Sequence, residues 1–121
     1  MRVRDHFRAH GRKSVSLPTT LRDDRASIEE QACIKNLGLG GAYVELDPGA
    51  ESEPTLLRLD AAVVLEVTAP SLWDPLILRG RIAWLRRGSG DKPARFGVRF
   101  EHQEEGTLFA LFQLLGTQVF E

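Results

Sequence analysis

Along most of the chain, apolar and polar residues alternate with a period of two. Val15, Leu17 and Leu21 alternate with Ser14, Ser16, Thr20 and Arg22, as expected for a strand with one face on a core. Pro18 places that strand at an edge or a bulge. A second strand is predicted over Ile28–Lys35, between Asp23-Asp24 and a run of glycines. Ala42, Val44 and Leu46 alternate with Tyr43 and Glu45 in a third, stopped by Asp47-Pro48-Gly49, and residues 49–54 read as polar loop. Val63, Leu65 and Val67 mark a fourth. In the fifth, Leu76–Arg86, counting by two puts Leu78, Ile82 and Trp84 on the core face and Arg79 and Arg81 on the other, with Gly80 permitting a bulge. After the turn at Gly88-Ser89-Gly90-Asp91, Phe96, Val98 and Phe100 define a sixth. Six short strands around one small core predict a mainly β fold, a six-stranded antiparallel β-barrel.

The period changes after residue 102. Leu108, Leu111, Phe112 and Leu115 follow helical spacing, and Phe109 and Leu114 widen the stripe. Glu104 and Glu105 suit a helix N-terminus and Gly116 is the expected stop. A C-terminal helix is therefore predicted to cover a barrel opening, with any apolar excess left for a protein partner or for a homodimer formed with a second copy of the chain.

Composition narrows the class. The chain has 121 residues, 42% of them hydrophobic and 27% charged, and a chain of this length buries roughly two-thirds of its unfolded surface, enough for one core. No apolar run approaches the ~20 residues of a membrane span, and Arg2 to Asp5 do not resemble a signal peptide, so no membrane insertion is expected. With Cys33 alone, no disulfide framework forms within the chain. A cytoplasmic location is expected. Cys33 itself reads as a small buried hydrophobe.

The net charge of -1 hides an asymmetry. Residues 1–13 carry Arg2, Arg4, Arg8, Arg12 and Lys13 against Asp5, a balance of +4. Residues 23–66 hold three bases and ten acids, a balance of -7. A binder of nucleic-acid polymers spreads basic charge over a face and interleaves exposed aromatics. Here the charge sits in an arm, and the phenylalanines read as core. A small anion fits this better than a polymer. Residues 1–13 are read as a basic, flexible N-terminal arm and residues 14–121 as a single domain.

Two elements offer chemistry. Arg8 and Arg12 present two guanidinium forks four residues apart, suited to phosphate oxygens or to O6 and N7 of guanine. Asn36-Leu37-Gly38-Leu39-Gly40-Gly41 is a glycine-rich connection able to turn backbone N–H groups toward a ligand. His6 and His10 share helical spacing, but only Asp5 stands nearby as a third ligand, so they read as solvent-facing. His102 reads as capping or exposed, and Trp73 as a rim or contact residue. No nucleophile–base pair, carboxylate pair or metal triad assembles, so no enzyme is expected.

Together the two elements carry a resemblance. Arg8-x-x-x-Arg12, followed by Val15-Ser16-Leu17-Pro18, and Asn36 to Gly41, followed by Ala42-Tyr43-Val44, resemble the two motifs of the PilZ domain. Leu78-Arg79-Gly80-Arg81-Ile82-Ala83-Trp84 and Phe96-Gly97-Val98-Arg99-Phe100 look like its later strands. The resemblance runs from about Arg8 to the final helix. It implies a PilZ-type barrel and a bacterial signalling module. It also implies cyclic di-GMP as ligand, with Arg8 and Arg12 clamping guanine and phosphate while Asn36 and the backbone from Gly38 to Gly41 hold the other side. The implied output is a protein effector in motility, pili or exopolysaccharide control. One residue departs from the pattern: the family's serine is Gly38 here. A lost hydrogen bond of ~0.5–3 kcal/mol weakens binding by roughly one to two decades. The alternative is an adaptor that binds protein only.

Overall fold

The computed structural model describes residues 13–23, 25, 29–47, 57–70, 72–89, 91–101 and 104–118. Arg8 and Arg12, together with His6, His10 and His102, lie outside these residues. The six strands are β1 (Lys13–Arg22), β2 (Glu29–Leu37), β3 (Gly41–Leu46), β4 (Ala62–Val67), β5 (Leu76–Arg86) and β6 (Arg95–Phe100), and the helix is α1 (Glu105–Gln118). They close into an antiparallel barrel in the order β1-β2-β3-β6-β5-β4.

Alternation fills the interior as expected. Leu17, Leu21, Ile34, Leu37, Val44, Leu65, Leu78, Ile82 and Phe96 are buried in one cluster, which Leu111, Leu114 and Leu115 of α1 join. Thr19 is a buried polar residue in the same interior, and its hydroxyl donates to the Glu66 carbonyl at 2.8 Å, so burial leaves no orphan donor. Pro18 is exposed, and the β1–β4 ladder begins one residue later, at Thr19 paired with Val67. The missing N–H therefore interrupts no bond of that ladder.

Closure depends on three bulges. On β1 three steps from Ser14 to Leu17 face two on β2, from Asn36 to Ile34. On β2 the two steps from Ile34 to Asn36 face one on β3, from Val44 to Tyr43. On β5 the two steps from Ile82 to Trp84 face one on β6, from Val98 to Gly97. Each extra residue inverts which side the strand presents and sharpens its coil. This corrects the assignment of Trp84. Leu78 and Ile82 point inward, but the extra residue at Ala83 turns Trp84 out to 41% exposure. Gly80, in contrast, sits in regular register opposite Phe100.

The helix also differs from expectation in two ways. Only Leu111, Leu114 and Leu115 are buried, while Leu108, Phe109 and Phe112 form an outer apolar face, with Phe112 64% exposed. The helix packs on β5 and β1, and a cylinder lying on a curved wall can bury one side only. It runs past Gly116 to Gln118, since a glycine ends a helix only where the chain turns left-handed. Trp73 is fully exposed, and Cys33 is half-buried, its sulfur 3.6 Å from the Ser16 hydroxyl.

The two helix faces should separate in stability. Leu114→Ala is expected to lose about 2–5 kcal/mol in urea unfolding, and Phe112→Ala to stay within ~0.5 kcal/mol of the parent. Equal losses would contradict this packing.

Candidate functional site

Beyond the bulges, five strands line up one residue each. Ser14 of β1 pairs with Asn36 of β2, Asn36 with Tyr43 of β3, Tyr43 with Gly97 of β6, and Gly97 with Trp84 of β5. Directly opposed residues in an antiparallel sheet share a face. For Asn36, Tyr43, Gly97 and Trp84 that is the outer face, because the adjoining row Leu37, Ala42, Val98 and Ile82 is buried inside. The bulges on β2 and β5 flip the parity that would otherwise send Asn36 and Trp84 inward.

Trp84 and Tyr43 meet over Gly97, their ring centroids 5.5 Å apart and their planes 38° apart. Gly97 makes this possible, since a Cβ there would overlap the Trp84 indole. The Tyr43 hydroxyl donates to Glu45 Oε2 at 2.9 Å. Partial burial, with that carboxylate accepting from it, pushes the phenol above its ordinary value, against a smaller opposing effect from Arg95. It therefore remains a donor at neutral pH. On β6 the outward residues are Arg95, Gly97 and Arg99, so a guanidinium stands on each side of the aromatic pair.

The glycine-rich connection lies at one end of this row. Asn36 is half-buried near the end of β2, Gly38 begins the turn and Gly41 begins β3. The Gly38 amide donates to the Gly41 carbonyl at 3.0 Å, and the Phe100 amide donates to the Gly40 carbonyl at 2.9 Å. The turn is thereby closed on itself and fastened to the end of β6. Gly41 packs against the Val98 carbonyl oxygen so closely that a Cβ has no room. The glycine is required by the approach of β3 to β6, whatever the turn binds.

The first described residue, Lys13, pairs with Leu37, so the chain joins the barrel beside this turn. Asn36, Gly38 and Gly41 are thus brought together at the point where β1 begins. The placement of Arg8 and Arg12 lies outside the described residues. Sequence reasoning missed Tyr43, Trp84 and Arg99. The signal for the aromatic pair was Gly97, a glycine in the middle of a strand, which marks a close approach by a neighbour.

The arrangement offers an aromatic pair with the Trp84 indole 41% exposed, flanking arginines and a fixed turn. A planar base carrying phosphate suits these three features. Among the described residues no cluster of His, Cys, Asp and Glu is placed to hold a metal ion, and no helix is long and apolar enough to cross a membrane.

The PilZ domain family model matches residues 3–117. No curated protein matches the sequence. Among solved structures, the PilZ domain of CeSA from a cellulose-synthesizing bacterium is similar at 23% identity and a TM-score of 0.65, over 88% of this chain and 95% of that one. The PilZ domain of YcgR from Escherichia coli, solved with c-di-GMP, is similar at 14% identity and a TM-score of 0.68, over 88% and 87%. The Bacillus subtilis inhibitor of motility (MotI/DgrA) is similar at 14% identity and a TM-score of 0.61, over 88% of this chain and 48% of that one. At these identities the likeness is one of fold.

Gly97→Ala should lift the indole off the sheet. In a Trp73→Phe background, Trp84 emission is expected to shift to the red, with a stability loss of about 1–3 kcal/mol in the same sample. Unchanged emission would mean that the indole does not rest on Gly97.

Proposed function

The chain belongs to the PilZ domain family, a family of cyclic di-GMP-binding adaptors, and from that premise we propose that it binds cyclic di-GMP and relays the signal to a protein effector. The observation that carries this reading is the register of β1 on β2. Lys13 opposite Leu37 puts the residue that follows Arg12 beside the Asn36–Gly41 turn, which supports a site shared by the two motifs. Arg8 and Arg12 clamp guanine and phosphate; Asn36 and the backbone from Gly38 to Gly41 hold the other side. A guanine stacks on Trp84, which is 41% exposed beside Tyr43.

The mechanism is a switch by ordering. The arm of residues 1–13 carries a balance of +4, and its like charges favour extension. A small dianion neutralises it and binds the folded arm preferentially, which shifts the population toward that form. The folded arm presents a new surface beside the barrel. The effector reads that surface, in the cytoplasm, in control of motility, pili or exopolysaccharide. The similar structures from a cellulose-synthesizing bacterium and an inhibitor of motility support this range of outputs.

A second reading rests on two observations. Gly38 replaces the hydroxyl of the family pattern, and α1 presents Leu108, Phe109 and Phe112 outward. On this reading the protein is an adaptor that binds protein only, through α1, which also offers the face for a homodimer.

Titration calorimetry separates the two. The native chain is expected to bind cyclic di-GMP, Arg8→Ala and Arg12→Ala to lose binding, and Gly38→Ser to tighten it by roughly 10–100-fold, the one to two decades a restored hydrogen bond confers. Binding that appears only in Gly38→Ser would establish the adaptor reading, and no heat in any variant would exclude the ligand.

A further inference from the structure

We infer that Arg99 is a third phosphate-binding cation of this site, with Asp60 as its built-in counter-ion; the inference rests on the cyclic di-GMP reading and names a residue that reading does not. Arg99 lies directly opposite Gly41 on β3 and opposite Arg81 on β5. Partners across an antiparallel pair are ~4.5–5.5 Å apart at Cα, well within the span of an arginine side chain. The Arg99 guanidinium rests on the β5 side, at Asp60, and because Gly41 has no side chain, β3 leaves it room to swing across β6 toward the turn. The neighbouring Phe100 amide bonds the Gly40 carbonyl, so β6 is held against the turn at this level.

The two opposed arginines are engaged differently. Arg81 is fixed: its Nε donates to Glu101 Oε2 at 2.9 Å and its Nη1 to the Asp60 carbonyl at 3.0 Å. Arg99 meets Asp60 through Nη2 and Oδ1 at 3.8 Å, longer than an N–H···O bond. Its side chain is 57% exposed and that of Asp60 76% exposed, a setting in which an ion pair contributes ~0–1 kcal/mol. Arg99 can therefore change partner at little cost.

Asp60, by contrast, is held in place. Its amide donates to the Ile82 carbonyl at 2.8 Å, and its φ of 64° places it in the left-handed region, which aspartate tolerates better than most residues. It offers its carbonyl to Arg81 and its carboxylate to Arg99, easing the repulsion of two cations that face each other across the sheet. A phosphate at the turn competes with one distant carboxylate for a bidentate fork. A fork on phosphate partly replaces the contact that Gly38 has lost.

The test is calorimetry of the full chain with cyclic di-GMP over a series of salt concentrations, with thermal melts alongside. Arg99→Ala is expected to weaken binding by about tenfold and to reduce the slope of log K against log salt by about one, as loss of one phosphate contact does. Its melting temperature should stay near that of the parent, because the pair it breaks is exposed. Arg99→Lys should fall between, since a point charge lacks the fork. Asp60→Asn keeps the left-handed backbone accessible and should tighten binding by about 2–5-fold. Arg99→Ala and Asp60→Asn both within twofold of the parent would overturn the role of Arg99 and leave the ligand reading standing. A loss of affinity in both variants would overturn it too, as the mark of a structural role. A native chain that does not bind would overturn the ligand reading and this inference together.

Discussion

The constraint on which the rest depends is closure. Six strands around a core this small must coil sharply to bring β1 back beside β4, and a regular two-residue pleat does not coil enough. The extra residues between Ser14 and Leu17, between Ile34 and Asn36, and between Ile82 and Trp84 supply the bend. All three fall along one line across the barrel. The same insertions that let it close also reverse the facing of everything beyond them. Asn36 and Trp84, which plain alternation puts inward, join the outward Tyr43 and Gly97 in one outer row, and Leu37 takes the interior beside Val98. The site is a by-product of how the barrel shuts.

That origin explains which parts were legible in the residues. Alternation located all six strands, because Val44, Leu65 and Phe96 must point inward in any register. It failed at Trp84, where counting by two from Leu78 and Ile82 passes through Ala83, and nothing in the composition of that strand marks the extra residue. Gly80 looked like the natural bulge and is regular. The helix was evident from Leu111 and Leu115, yet not its orientation: six apolar residues spread around more than half its circumference leave the buried side undetermined until β5 and β1 supply the wall. Asn36, Gly38 and Gly41 were visible as a motif. Tyr43 and Arg99 were not, since their relevance comes from partners on other strands.

Charge shows the same dependence on register. Residues 67–121 sum to +1, which looks neutral, but the seven bases among them include Arg79, Arg81, Arg86, Arg95 and Arg99, all on β5 and β6. Basic charge is therefore not confined to the arm: Arg95 and Arg99 flank the exposed Trp84 and the half-buried Tyr43. Several of the barrel's arginines are balanced locally, Arg99 by Asp60 among them. Arg81 is tied to Glu101, and Arg22 approaches Glu66 at 3.8 Å. Such local pairing keeps the long-range field of the face weak, which disfavours a polyanion that needs many unscreened contacts. A compact anion needs only two or three.

Fixed and adjustable parts are thereby divided at the site. The turn cannot move much, since Gly40 is bonded to Phe100 and Gly41 is wedged on the Val98 carbonyl. A hydroxyl at position 38 would have been presented by this rigid turn at almost no entropic cost. Guanidinium groups on long side chains lose roughly 2 kcal/mol of rotamer freedom when immobilised, so replacing the serine by more arginine contact is an unequal exchange in free energy. It is a favourable one for a switch. Affinity drawn from groups that must become ordered is tied to the ordering itself, whereas affinity drawn from a rigid turn is not.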